Sequence, residues 1–326
     1  MRYFTEDLRP LLFCKASWFD GREESTPDYW VLWRITKSDS PAWWRELLIG
    51  AAAFARDHGL LPVYQRRFAG IPARALSDSA GRAENRSSVA PIWEIANELV
   101  AGLYLERALG WTLSEYEPNG HMGRVGDWQF ITPTGRTVFV EVKSVLEPER
   151  FGTGVFSRGV ATGRLAGVLR GAYRQLPRDS RATLVVVVGN GLITALNHGI
   201  MLTDIFQTLF GKIQVTFPVM PYVEGSERVG PSFYDMFTHT GKHRRLGCVA
   251  GLHVGGMDTP GLVFYAVHNP FADSSSKLTK EDFVDARQFW VDIDGHGQEI
   301  GEVKALDRWK DIVAYTLTGP GNERSG

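Results

Sequence analysis

The sequence predicts an α/β protein, and three stretches carry that prediction. Residues 91–109 read as a helix that is apolar almost all round, and residues 126–144 as two strands joined by a turn. Residues 164–188 read as an amphipathic helix followed by a buried strand. Helices and strands interleaved in this way share one core as stacked layers.

The first helix opens with Pro91 and stops before Gly110, the usual punctuation of a helix start and end. At 3.6 residues per turn its apolar side chains leave almost no polar face, which marks a buried helix. Glu98 falls between Leu105 and Leu109 on the helical wheel. A carboxylate placed there must be paired, hydrogen-bonded or bound to a metal, because burying it bare costs several kcal/mol. Two readings are open: an acid of a metal site, or a Glu at the helix surface pairing with an arginine. Glu94, one turn earlier, is the reserve acid on this helix.

The strand pair follows. Gly126-Asp127-Trp128 leads into the first strand, Pro133-Thr134-Gly135-Arg136 supplies turn residues, and Val138-Phe139-Val140-Glu141-Val142-Lys143-Ser144 is the second. Side chains alternate along a strand, so Glu141 and Lys143 point one way while Val140 and Val142 point the other. A hairpin in this register brings Asp127 beside Glu141. Two carboxylates and an ammonium at one spot suit a hard divalent cation and an attacking water. The pattern is that of a metal-dependent phosphodiesterase.

Residues 164–176 form the second helix. Leu165, Val168, Leu169, Ala172, Tyr173 and Leu176 fill one arc, while Arg164, Arg170 and Arg174 share the other with Gly167 and Gly171. From Arg158 to Arg181 inclusive there are six arginines and one acid, Asp179, in a chain of net charge −1. Arginine offers bidentate donors to phosphate, so this face is a candidate nucleic-acid contact. Pro177 ends the helix, and Ala182-Thr183-Leu184-Val185-Val186-Val187-Val188 has the composition of a fully buried strand.

Asp127 with Glu141-Val142-Lys143 resembles the signature of the PD-(D/E)XK nuclease superfamily, with Gly126 standing where that signature has proline. The resemblance spans roughly residues 90–190. It implies a restriction-endonuclease-like core of helix, three strands, helix and strand, with Glu98 as the acid of the first helix. It further implies that Asp127, Glu141 and the Val142 carbonyl hold Mg²⁺ (Mn²⁺ as a substitute), with Glu98 completing the shell directly or through water. Lys143 would act on the attacking water, and Gln175 would reach the site from the second helix. A second Asp…Glu-x-Lys match, Asp294 with Glu302 and Lys304, sits in polar, glycine-bearing sequence that reads as an edge or turn, and is set aside.

Composition bounds the reading. The chain has 326 residues, 44% hydrophobic and 22% charged, in the ordinary range for a globular protein. No apolar run reaches the length of a membrane span, and the first residues lack an apolar signal segment. Two cysteines, Cys14 and Cys248, are too few for a disulfide framework, so a cytoplasmic setting is expected.

Three regions are expected: 1–88, Trp-rich and partly helical; 89–211, the nuclease-like core; and 212–326, a β-rich extension. In the first, 41–58 reads as a helix stopped by Gly59, and 66–88 as a loop. In the last, strands are expected over 212–219, 247–254, 262–268 and 289–293 after a helix at 201–210. His239, His243 and Cys248 lack a fourth ligand and a helix to align them for zinc. No phosphate-binding loop or nucleophile elbow occurs.

The expectation is a Mg²⁺-dependent nuclease, endonucleolytic and with DNA favoured as partner, working as a homodimer or within a larger complex. A catalytically silent nucleic-acid-binding or scaffold subunit with the same fold is the alternative.

Overall fold

The computed structural model describes residues 42–69, 90–145, 162–190, 198–210, 212–216, 225–229, 243–255, 261–284, 286–293 and 299–306. The helices are α1 (Ala42–Asp57), α2 (Leu61–Ala69), α3 (Ala90–Arg107), α4 (Thr162–Tyr173) and α5 (His198–Phe210). The strands are β1 (Thr112–Tyr116), β2 (Trp128–Ile131), β3 (Thr137–Val145), β4 (Ala182–Asn190), β5 (Lys212–Thr216) and β6 (Gly225–Val229). They continue with β7 (Cys248–Val254), β8 (Leu262–His268), β9 (Arg287–Ile293) and β10 (Glu299–Leu306).

Eight strands form one mixed sheet in the order β1-β2-β3-β4-β7-β8-β9-β10, while β5 and β6 pair separately. The β-branched runs of β3 and β4 lie at its centre, paired in parallel with Glu141 opposite Val185. β1, β2 and β3 form an antiparallel meander, and β7 lies parallel to β4. The chain thus runs helix, three strands, helix, strand from α3 to β4, the order expected from the sequence. β7 to β10 of the third region continue this sheet.

Strand alternation sorts the core into two layers. Val138, Val140, Val142, Leu184, Val186 and Leu252 pack with α1, α2 and α3. Phe139, Val185, Val187 and Val249 face the other way and pack with Leu165 and Leu169 of α4 and Ile205 and Leu209 of α5. Each such buried aliphatic side chain contributes about 1.5–3 kcal/mol. α3 is apolar all round because it lies between α1 and the sheet. Gly59 and Gly110, at φ of 69° and 67°, follow α1 and α3 where a left-handed backbone breaks each helix.

Residues 66–69 depart from the expected loop and complete α2. Tyr64 is buried against Trp128, and Arg67 is drawn onto Glu98, so two tertiary contacts hold a short helix of weak propensity. The second helix ends at Tyr173 instead of 176. A tighter turn follows, in which the Gln175 N–H donates to the Ala172 carbonyl at 2.8 Å. Trp18, Trp30 and Trp33 of the first region and Asp294 of the second Asp…Glu-x-Lys match lie outside the described residues.

Candidate active site

The site forms where β2 leaves β3. The two strands pair from Ile131 opposite Thr137 to Trp128 opposite Val140, and there the pairing stops. Beyond it the β1–β2 hairpin continues: the Glu117 N–H donates to Asp127 O at 3.2 Å, the Gly126 N–H to Pro118 O at 3.0 Å, and Asn119 bridges Val125. This extension lies over the Phe139 ring. A Cβ on Gly126 would come within 2.2 Å of the ring, so only glycine permits the approach.

Asp127 fills the gap this bend opens. Its Oδ2 accepts the Val142 N–H at 2.6 Å, in place of the backbone partner a continuing β2 would have provided. The N–H and C=O of one strand residue point to the same side, so the Val142 carbonyl faces the gap as well.

Glu141 and Lys143 project from β3 on the α4 face, the side of Phe139. Glu141 is 1% exposed, and the Lys143 ammonium donates to its Oε1. Its Oε2 is buried with no hydrogen-bond donor. Burial raises the Glu141 carboxyl to about 7, against the pull of Lys143 and with a smaller push from Glu98. Asp127 is held well above the ordinary carboxylate range by burial and by the charges of Glu98 and Glu141, although the Val142 N–H and Lys143 favour its ionised form. Ser144 points to the opposite face, where its hydroxyl accepts from Asn97 Nδ2 at 3.0 Å.

Glu98 enters from α3, close enough that its charge raises both other acids. Glu98 is buried, yet an arginine takes it rather than leaving it free for an ion, a combination neither sequence reading offered. Arg67 donates from Nη1 to Oε1 at 2.6 Å and from Nη2 to Oε2 at 2.7 Å, and the Tyr64 hydroxyl donates to Oε1 at 2.5 Å. Oε1 has both lone pairs engaged, leaving Oε2 with one position for water. Arg67 also reaches the Tyr116 hydroxyl at 3.2 Å. Glu94, the reserve acid, is exposed.

Gln175 turns toward the site rather than outward with the arginines. Its Nε2 donates to the Val125 carbonyl at 3.3 Å, and its amide lies near enough to Glu141 to favour the carboxylate. Arg170 is exposed on α4, and Arg174 is exposed in the turn that follows it. Arg164 lies in the first turn of α4, and its side chain is outside the described part.

Three carboxylates thus face two cations, Lys143 and Arg67, so the cluster holds one negative charge in excess once both raised acids give up their protons. The donor set fits a hard divalent ion: a buried carboxylate oxygen without a donor, a second carboxylate, and a carbonyl turned into the same gap. Among the described residues no three of His, Cys, Asp and Glu converge as a complete ligand set, and both Glu98 oxygens are bonded to Arg67. An ion here would complete its coordination with water or phosphate oxygen, as Mg²⁺ commonly does.

No family model, no curated protein and no solved structure matches this chain. Among the described residues no helix is long and apolar enough to cross a membrane. Tyr64 and Arg67 were not visible as site residues in the sequence. The available signal was the Leu61…Tyr64…Phe68 spacing after Gly59, together with the need of a buried Glu98 for a cation.

Proposed function

We propose that this protein is a Mg²⁺-dependent nuclease, acting on DNA, with a restriction-endonuclease-like core. The observation that carries this reading is the pairing of Asp127, fixed on the Val142 N–H, with Glu141, whose Oε2 is buried without a donor. Asp127, Glu141 and the Val142 carbonyl would hold the ion. When bound, Mg²⁺ supplies positive charge to a phosphate oxygen and lowers the pKa of water.

The protein's own groups do the rest. Lys143, held beside Glu141, presents its ammonium to an attacking water and to the charge that develops on phosphorus-bound oxygen. Gln175 fixes the Glu141 side of the site. Arg67 clamps Glu98 in place through both of its oxygens, so that the Glu98 charge adds to the demand for a cation without occupying a coordination position. Arg170 and Arg174 offer guanidinium groups to the phosphate backbone.

The test is incubation of purified protein with linear, circular and branched DNA and with single-stranded RNA, in Mg²⁺, Mn²⁺ or EDTA, alongside Lys143→Ala. Metal-dependent cleavage of DNA that is lost in the variant is the expected result. Salt-dependent DNA binding without cleavage in any metal replaces this reading with that of a silent binding subunit.

A further inference from the structure

The tip of the β1–β2 hairpin has features that the site does not use. His121-Met122-Gly123-Arg124 closes it, with Met122 at φ 57°, ψ 39° and Gly123 at φ 71°. The Arg124 N–H donates to His121 O at 3.2 Å, so these four residues form a tight turn with both central residues left-handed. The first of those positions belongs to Asn, Asp or Gly in most hairpins, and a methionine there is strained. The two non-glycine residues with positive φ among the described residues, Glu117 and Met122, both lie in this hairpin. Strain of this kind gathers at functional positions.

Met122 is 85% exposed, the most exposed large apolar side chain among the described residues, with Val125 beside it at 41%. Cations lie near the adjoining His121. Arg124 and Arg178 are exposed and have no carboxylate partner among the described residues. Partial desolvation and the charges of Arg178, Arg245 and Arg124 hold His121 below the ordinary histidine range, so these groups share one patch. An apolar tip next to a basic patch is poorly suited to water and well suited to nucleic acid, where cations meet phosphates and an apolar wedge enters between bases.

The tip is also fixed relative to the site. The His121 N–H donates to the Gln175 carbonyl at 3.1 Å, and the Gln175 side chain donates to Val125 O. Gly120 packs so closely on the Gln175 carbonyl that a Cβ there would come within 2.1 Å. Gln175, which lies near Glu141, thus ties the tip to the site.

We propose that Met122 is a wedge that enters a base step of duplex DNA next to the cleaved phosphate, with Arg124 and Arg178 on the flanking phosphates. The proposal rests on the nuclease reading and narrows its substrate to duplex DNA that is unstacked, or easily unstacked, beside the cut.

The test uses the full chain and duplexes carrying 2-aminopurine at successive positions, in Ca²⁺, with binding followed by anisotropy. Wild type should raise the fluorescence several-fold at one or two adjacent positions. Met122→Gly removes the wedge and suits the left-handed backbone, so it should keep or raise Tm, still bind DNA, and lose most of the fluorescence rise. Arg124→Ala and Arg178→Ala should each lower the slope of log K against log salt by about 1. An unchanged fluorescence rise in Met122→Gly overturns the proposal, as does the absence of any rise with wild type. Cleavage in Mg²⁺ is scored separately: unstacking without cutting sinks the nuclease reading alone, and cutting without unstacking sinks the wedge alone.

Discussion

Asp127 takes the backbone N–H of Val142 at 2.6 Å, the bond that strand β2 gives up when it bends away over Phe139. One side chain therefore closes the defect in the sheet and stands beside Glu141. The break in the ladder and the charged site are the same feature, produced by Gly126 against Phe139 and by the acid that follows it.

Stability of the metal-free protein should fall as pH rises from about 4.5 to about 7. Glu141 has an unfolded value near 4.5 and a folded value of about 7. A raised folded pKa means that the unfolded chain loses its proton first, so the folded state is penalised progressively across this window. At 1.36 kcal/mol per unit the loss approaches roughly 3 kcal/mol above it. Thermal unfolding in EDTA against pH measures this. Glu141→Gln should flatten the curve, and Mg²⁺ should restore stability to wild type at pH 7 and above.

Arg67→Ala should destabilise the protein by about 3–5 kcal/mol, because it strands the buried Glu98 charge. Glu98→Gln in the Arg67→Ala background should recover part of that loss. A double-mutant cycle in denaturant gives the coupling directly. Independent, additive effects of the two changes would contradict the clamp.

Asp282 ties the β2–β3 turn to the segment before β9. It accepts from the Thr132 hydroxyl at 2.7 Å, from the Thr134 hydroxyl, and from the Thr279 N–H at 2.7 Å. Burial alone would raise its pKa, but these donors hold it below the ordinary value. Its contribution is present above the unfolded pKa and lost as pH falls through the folded one. Asp282→Ala should cost about 3 kcal/mol in urea unfolding and leave metal affinity unchanged, which separates it from the site acids.

Arg170→Ala and Arg174→Ala should weaken DNA binding uniformly across sequences, each reducing the salt slope by about 1. Anisotropy over a salt series reads this. An unchanged slope would assign the α4 face to solvent.

The core elements were legible because local pattern and tertiary role agree in them. The expected strand at 262–268 is Leu262–His268, and the run at 182–188 extends only to Asn190. The burial of Glu98 followed from an α3 with no polar face. Its partner did not, because Arg67 lies 31 residues away on a short helix that tertiary contacts hold together. The hairpin tip was missed for a related reason. Met122-Gly123 carries only half of the usual turn signal, and the fold over Phe139 is set by packing rather than by propensity. The joining of β7–β10 to the sheet depends on strand pairing at long range, which periodicity does not encode.

That Asp127 and Glu141 form one cation site is the claim on which the rest stands. Titration calorimetry of Mg²⁺ into the metal-free protein at pH 7, repeated in buffers of different ionisation enthalpy, tests it most directly. Saturable binding with proton release is expected, because both acids are raised and the ion displaces protons. Asp127→Asn and Glu141→Gln should each abolish the binding. Absence of binding, or binding that survives both substitutions without proton release, would contradict it.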